Sequence, residues 1–131
     1  MTVEEAVVAR LVAVSAVTDL VEDRISPHTR DQDPEALPAI TYERAGTEEI
    51  VALDGPTGSG RITLQIDAWA ADGDGAMALA LAVGAALRAD AGSGIRAAFR
   101  RSMSGPAQDP EVKVYRVRMA WDVHFSAAVA A

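Results

Sequence analysis

GPTGSGRITLQIDAWA, residues Gly55 to Ala70, admits two readings that lead to different folds. Its opening, GPTGSGRI, lies close to the phosphate-gripping pattern G-x-x-x-x-G-K-[S/T]. In that pattern glycines let backbone amides surround the phosphates and a Lys reaches the outer ones. A Ser or Thr holds magnesium, and a helix N-terminus completes the field. Here Arg61 stands in place of the Lys and Ile62 in place of the magnesium ligand. Nor does a helix follow. Ile62, Leu64, Ile66 and Ala68 alternate with Thr63, Gln65, Asp67 and Trp69, which is the period of a strand. The order is strand, loop, strand. Asp54, Gly55, Pro56, Thr57, Gly58, Ser59 and Gly60 are therefore expected to form the flexible tip of a long β-hairpin arm. Glycines and a proline suit a mobile surface loop. Such a tip can order when it meets a partner.

The first arm of that hairpin begins at Pro38. In AITYERA, Ile40 and Tyr42 alternate with Thr41 and Glu43, and a second pairing segment is expected over residues 48–53. After the second arm, Asp72, Gly73, Asp74 and Gly75 make a turn whose aspartates suit a helix N-terminus. AMALALAVGAALRAD then reads as a helix with almost no polar residue in its middle. A helix apolar on all sides must be covered on more than one side. GSG breaks the chain, IRAAFRRSM reads as a strand, and GPAQDPE as a turn. VKVYRVRMAWDVHF carries the longest strand signal. Tyr115, Val117, Met119, Trp121, Val123 and Phe125 face one way, and Arg116, Arg118, Asp122 and His124 the other.

Upstream, Thr2 with Glu5 resembles a capping box. Val3, Val7, Leu11, Val14 and Val17 recur at helical spacing, predicting a helix over residues 3–16 with a further turn to residue 21. Val8, Val12 and Ala16 widen its apolar surface. The polar stretch 22–36 reads as an irregular excursion. The predicted class is α+β: a mostly antiparallel sheet with two main helices packed on one face, a long hairpin arm, and one domain over residues 1–131.

Composition bounds the chemistry. A chain of 131 residues suits one domain with a real core. The absence of cysteine excludes disulfides, thiolate catalysis and cysteine-ligated metals. A formal charge of −7 makes a poor gripper of nucleic acid, but suits a surface that nucleic acid passes without sticking. No cationic leader or membrane-spanning stretch is present, so a soluble protein is expected. His28 and His124 share no ligand spacing, the serines form no G-x-S-x-G elbow, and Asp72 and Asp74 are read as helix caps. Catalytic residues, cofactors and metals are expected to be absent.

Arg96, Arg100, Arg101, Arg116 and Arg118 form a late basic set. If their strands pair, Arg96 and Arg100 share a face with Arg116 and Arg118. No aromatic stacking platform lies beside them, so salt bridges are expected, with Asp67 and Asp122 as candidate partners. Trp69 on the polar side of its strand marks either a contact surface or a site shielded by a loop.

The segments DLVEDRISP, LPAITYERAG, ALDGPTGSGRITLQIDAWA and VYRVRMAWDVHF, in this order and spacing, resemble the tail-completion or tail-terminator proteins of long-tailed bacteriophages and gene-transfer agents. LDG before the hairpin tip and QIDAWA after it carry most of that resemblance. The resemblance implies a structural virion protein without enzymatic activity, made in the bacterial cytoplasm. Its copies would form a ring, usually a hexamer, that ends the tail tube and offers the surface joining it to the head. Implied partners are the tail tube protein and a head-completion or stopper protein of the neck, with DNA passing through the channel. Another neck component, a head-completion or connector protein, is the nearest alternative. A nucleotide-binding module using the Gly55–Gly60 loop is a distant one.

Overall fold

Two alternating segments place the core. The structure, a computed structural model, describes residues 2–29, 37–88, 94–110 and 113–126. In chain order the elements are α1 (Val3–Val12), α2 (Ser15–Val21), β1 (Ile25–Pro27), β2 (Ala39–Ala52), β3 (Gly55–Ala70), α3 (Gly73–Arg88), β4 (Ile95–Asp109) and β5 (Val114–Phe125). The strands form one sheet in the order β1-β2-β3-β5-β4. β1 runs parallel to β2, and all other neighbours are antiparallel. The α+β expectation holds.

Ile62, Leu64, Ile66 and Ala68 of β3 are buried beside Val117, Met119, Trp121, Val123 and Phe125 of β5. α3 lies over β3, β4 and β5, and α1 and α2 pack against α3. The opposite sheet face carries the polar residues of the same strands. Apolar residues every second position thus meet helices on one face only, as the alternation requires.

Caps stand where the side chains call for them. Thr2 Oγ1 accepts from the Glu5 amide at 3.1 Å. Asp72 Oδ1 accepts from the Gly75 amide at 2.5 Å, opening α3. Arg10, 5 % exposed, donates to the Leu87 carbonyl at 3.1 Å. A cation on α1 thereby satisfies an orphan carbonyl in the last turn of α3 and locks the two helices together.

Four local expectations are corrected. The single helix predicted from residue 3 is two, because Val14 takes extended geometry (φ −107°, ψ 117°) between them. Helix-weak β-branched residues at 12 and 14 ease the break, and α2 then lies against both α3 and β2. The polar stretch after residue 21 contains a strand, β1, where Ile25 pairs with Ile40. Its residues 30–36 lie outside the described residues. The two pairing segments of the first hairpin arm are one strand, bent by register shifts at Arg44/Gly46 and Glu49/Val51. Finally, much of GPAQDPE is strand: β4 continues to Asp109 through a register shift between Ser104 and Ala107. β4 is an edge strand, so its outer side needs no amide from Pro106, and the bulge absorbs the ring.

Candidate functional site

The described residues bring the sequence candidates to a projecting ribbon and an open sheet face. β5 accompanies β3 only as far as Gly60, opposite Phe125. Beyond that, Gly55 and Pro56 pair with Ala52 and Val51 of β2, and residues 57–59 bulge where the register shifts between Glu49 and Val51. At about 3.3 Å per residue over the three steps from Glu49 to Ala52, this two-stranded ribbon extends roughly 10 Å past the last described pair of β3 and β5. The chain reverses at Leu53 and Asp54, closed by the pair Ala52–Gly55. Gly55 takes φ 123°, a conformation that favours glycine. The loop expected over residues 54–60 is thus a two-residue turn at 53–54, a paired Gly55 and Pro56, and a bulge over 57–59 before Gly60. Thr57 Oγ1 donates to the Ile50 carbonyl across the ribbon at 2.8 Å. Strand geometry here, with α3 starting only at Gly73, does not build the amide cradle and helix terminus of a phosphate loop.

The ribbon's apex is apolar and acidic. Ile50 and Val51 are 58 % and 66 % exposed, and Leu53 is fully exposed. Glu48 is bridged by Arg61 at 2.6 Å. Glu49 and Asp54 have no ion-pair partner among the described residues. Sequence reasoning placed the contact in the glycine stretch and passed over Ile50, Val51 and Leu53. The available signal was three large aliphatics leading into and occupying the turn, Leu53 being one of its two residues, where a solvated turn would be polar.

On the open face, Arg118 grips Asp67 with two hydrogen bonds of 3.1 and 3.3 Å. The Asp67 bond holds the Arg118 guanidinium above its ordinary pKa. Asp122 accepts from Thr63 Oγ1 at 3.0 Å and meets Arg101 at 3.5 Å. Both acids named from the sequence therefore receive late arginines. Arg96 and Arg100 do not join Arg116 and Arg118, because register shifts at Ile95/Ala97 and Arg100/Ser102 change which way β4 residues point. They line a cleft between β4 and the end of α3 instead, with Arg10 and Arg88. Trp69 is half-buried. Its Nε1 donates to Thr41 Oγ1 at 3.0 Å, and the Arg116 guanidinium lies 5.5 Å from its ring. The sheet itself, rather than a loop, gives it this cover.

Among the described residues no group of three or more His, Asp or Glu side chains could hold a metal ion. No described helix is long and apolar enough to cross a membrane.

The profile of the family described as tail completion protein gp17 matches residues 5–128, and the chain belongs to that family. It is accordingly a structural protein of a phage-like tail or neck, as the sequence resemblance implied. Among solved structures, a chain from the virion of a native gene transfer agent particle has the same fold, with a TM-score of 0.76 at 16 % identity over 95 % of both chains. No curated protein matches the chain.

Proposed function

We propose that copies of this protein close into a ring, a hexamer, that terminates the tail tube and presents the surface to which the head is joined. DNA passes through the channel without specific contacts, and no catalytic step is involved. The tail tube protein lies on one side of the ring and a head-completion protein of the neck on the other. The arm residues Asp54, Gly55, Pro56, Thr57, Gly58, Ser59 and Gly60, together with Trp69, form part of the contact between copies. A tip that is flexible in the lone subunit becomes ordered on its neighbour.

One observation carries this reading: among the described residues, Ile50, Val51 and Leu53 stand exposed on a ribbon that runs on past the end of β5. A two-stranded ribbon is marginal in water, and an aliphatic apex gains from burial, about 25 cal/mol per Å² of apolar surface. The test removes residues 50–59 and joins Glu49 to Gly60, already cross-strand partners, through Asn-Gly. The trimmed chain should keep its circular dichroism and melting temperature within a few degrees. It should also fail to reach the ring mass by analytical ultracentrifugation and fail to cap tail tubes in electron micrographs. A trimmed chain that still assembles and caps would overturn the proposal.

A further inference from the structure

We propose that the arm's apex docks in the arginine-lined cleft of the next copy. The inference rests on the ring reading and names the surfaces that would close it. The cleft has a volume of about 620 Å³. Leu87, Ile95 and Ala98 give it an apolar lining, and Arg88, Arg96 and Arg100 bring positive charge to it, while Phe99 stands opposite Asp122 with its ring against His124 on the open face. The apex offers the complement in kind: exposed Leu53 and Val51 for the apolar lining, and Glu49 and Asp54 for the arginines. An aliphatic anchor seated in a concave pocket with charged groups at its rim is a common arrangement at interfaces.

Topology decides between self-docking and docking on a copy. Gly60 and Ile95 both pair with Phe125, so the ribbon leaves the sheet from the same end at which the cleft lies. Its course carries the apex roughly 10 Å past that end. The subunit's own cleft sits back beside β4, two strands across from β3. Reaching it would require folding the ribbon back on itself. The next copy's cleft needs no reversal. The arm leaves from the middle of the sheet, at β2/β3, while the cleft lies at the β4 edge, so each copy can give an arm at one place and take one at another. Contacts of this head-to-tail kind generate rings when the rotation closes. The two register shifts in β2 supply the bend by which the arm can lean toward a neighbour.

The natural chain has no cysteine, so paired cysteines report the contact directly. Leu53→Cys with Ala98→Cys, assembled alone or on tail tubes and then mildly oxidised, should give a ladder of disulfide-linked multimers. Leu53→Cys with Ser104→Cys, toward the other end of β4, should not. In parallel, Asp54→Lys and Arg96→Glu should each raise the concentration needed for half-assembly roughly tenfold, and the two together should restore it. Rings of normal mass with no ladder, or with both charge reversals silent, overturn the cleft assignment and leave the ring reading standing. A chain that stays monomeric at high concentration, even with tail tubes, removes the ring reading and this inference with it.

Discussion

A methyl group added to Gly60 would stand 2.3 Å from the Glu48 carbonyl oxygen and 3.0 Å from the Phe125 ring. At this point the arm leaves the sheet, and β2 and β5 crowd β3 from both sides. Gly60→Ala should therefore destabilise the subunit by about 1–3 kcal/mol, read as a melting temperature lower by several degrees. Gly55, whose added methyl meets nothing within 4 Å, owes its place to its backbone angle instead. Both glycines were read from the sequence as parts of one loop tip. Spacing along a chain does not reveal that one of them sits under a neighbouring backbone. The Asp67–Arg118 pair was legible, because two strands of strict alternation place their polar residues on one face. Asp67 is only 7 % exposed, so Arg118→Ala leaves a mostly buried carboxylate without its forked donor and should cost about 1–3 kcal/mol. Arg101→Ala, at a 59 % exposed partner of Asp122, should cost at most about 1 kcal/mol by the same denaturant titration. Tyr42 adds a pH dependence. Burial, and then the charges of Glu4 and Glu5, raise its pKa above the ordinary value. Above pH 10 the unfolded chain loses this proton while the native chain keeps it, so the native state binds more protons and stability falls as pH rises. Below pH 10 the contribution is complete. Tyr42→Phe should flatten that alkaline loss in melts recorded between pH 9 and 11, and an unchanged slope would refute the assignment.

α3 shows what helix composition alone reveals and what it hides. Its almost unbroken apolar run called for cover on more than one side, and the fold gives it two covers: the sheet, and the pair α1 and α2. Ala76, Leu79, Ala80, Val83, Ala86 and Leu87 are buried, while Ala78, Leu81 and Ala85 face out. Which residues fall on each side depends on the partners, and they come from distant parts of the chain. Val83→Asp would bury an unpaired charge costing several kcal/mol, a large share of the 5–15 kcal/mol typical of a domain. It should yield insoluble or unfolded protein. Leu81→Asp, at a position 55 % exposed, should fold with a melting temperature near that of the natural chain. Equal damage from both would show that the outer face is also covered. β3 and β5 were read with nearly the right bounds because half-burial leaves a period of two. β1 was not, since three residues whose pairing is set across residues 25–42 leave no periodicity to find. β4 was cut short because Gly105-Pro106 carries a turn signal that an edge bulge can absorb.

For the whole molecule, the formal charge of −7 and the placement of the arginines bear on how it meets DNA. Arg61, Arg101 and Arg118 are each drawn to an acid on or beside the open sheet face, Arg44 bonds Glu4, and Arg24 bonds Glu22. Among the described residues, Arg88, Arg96 and Arg100 gather at the β4–α3 cleft, which the proposed contact would place inside the assembly. Binding of duplex DNA draws its strength from phosphates neutralised by Lys or Arg, and the logarithm of the affinity falls with the logarithm of salt by about 0.9 per phosphate contact. An assembled ring with its arginines so occupied should release few counterions. Duplex DNA should therefore migrate unretarded in the presence of assembled protein at 50 mM salt, with no salt-dependent shift up to 200 mM. The separated subunit, its cleft open, is the sensitive control: any weak retardation it causes should vanish on assembly and in Arg96→Glu. Retention of DNA by the assembled form, with a slope worth several phosphates, would mean that a basic surface lines the path of the DNA. The reading that DNA passes without sticking would then be wrong, whatever the fate of the ring.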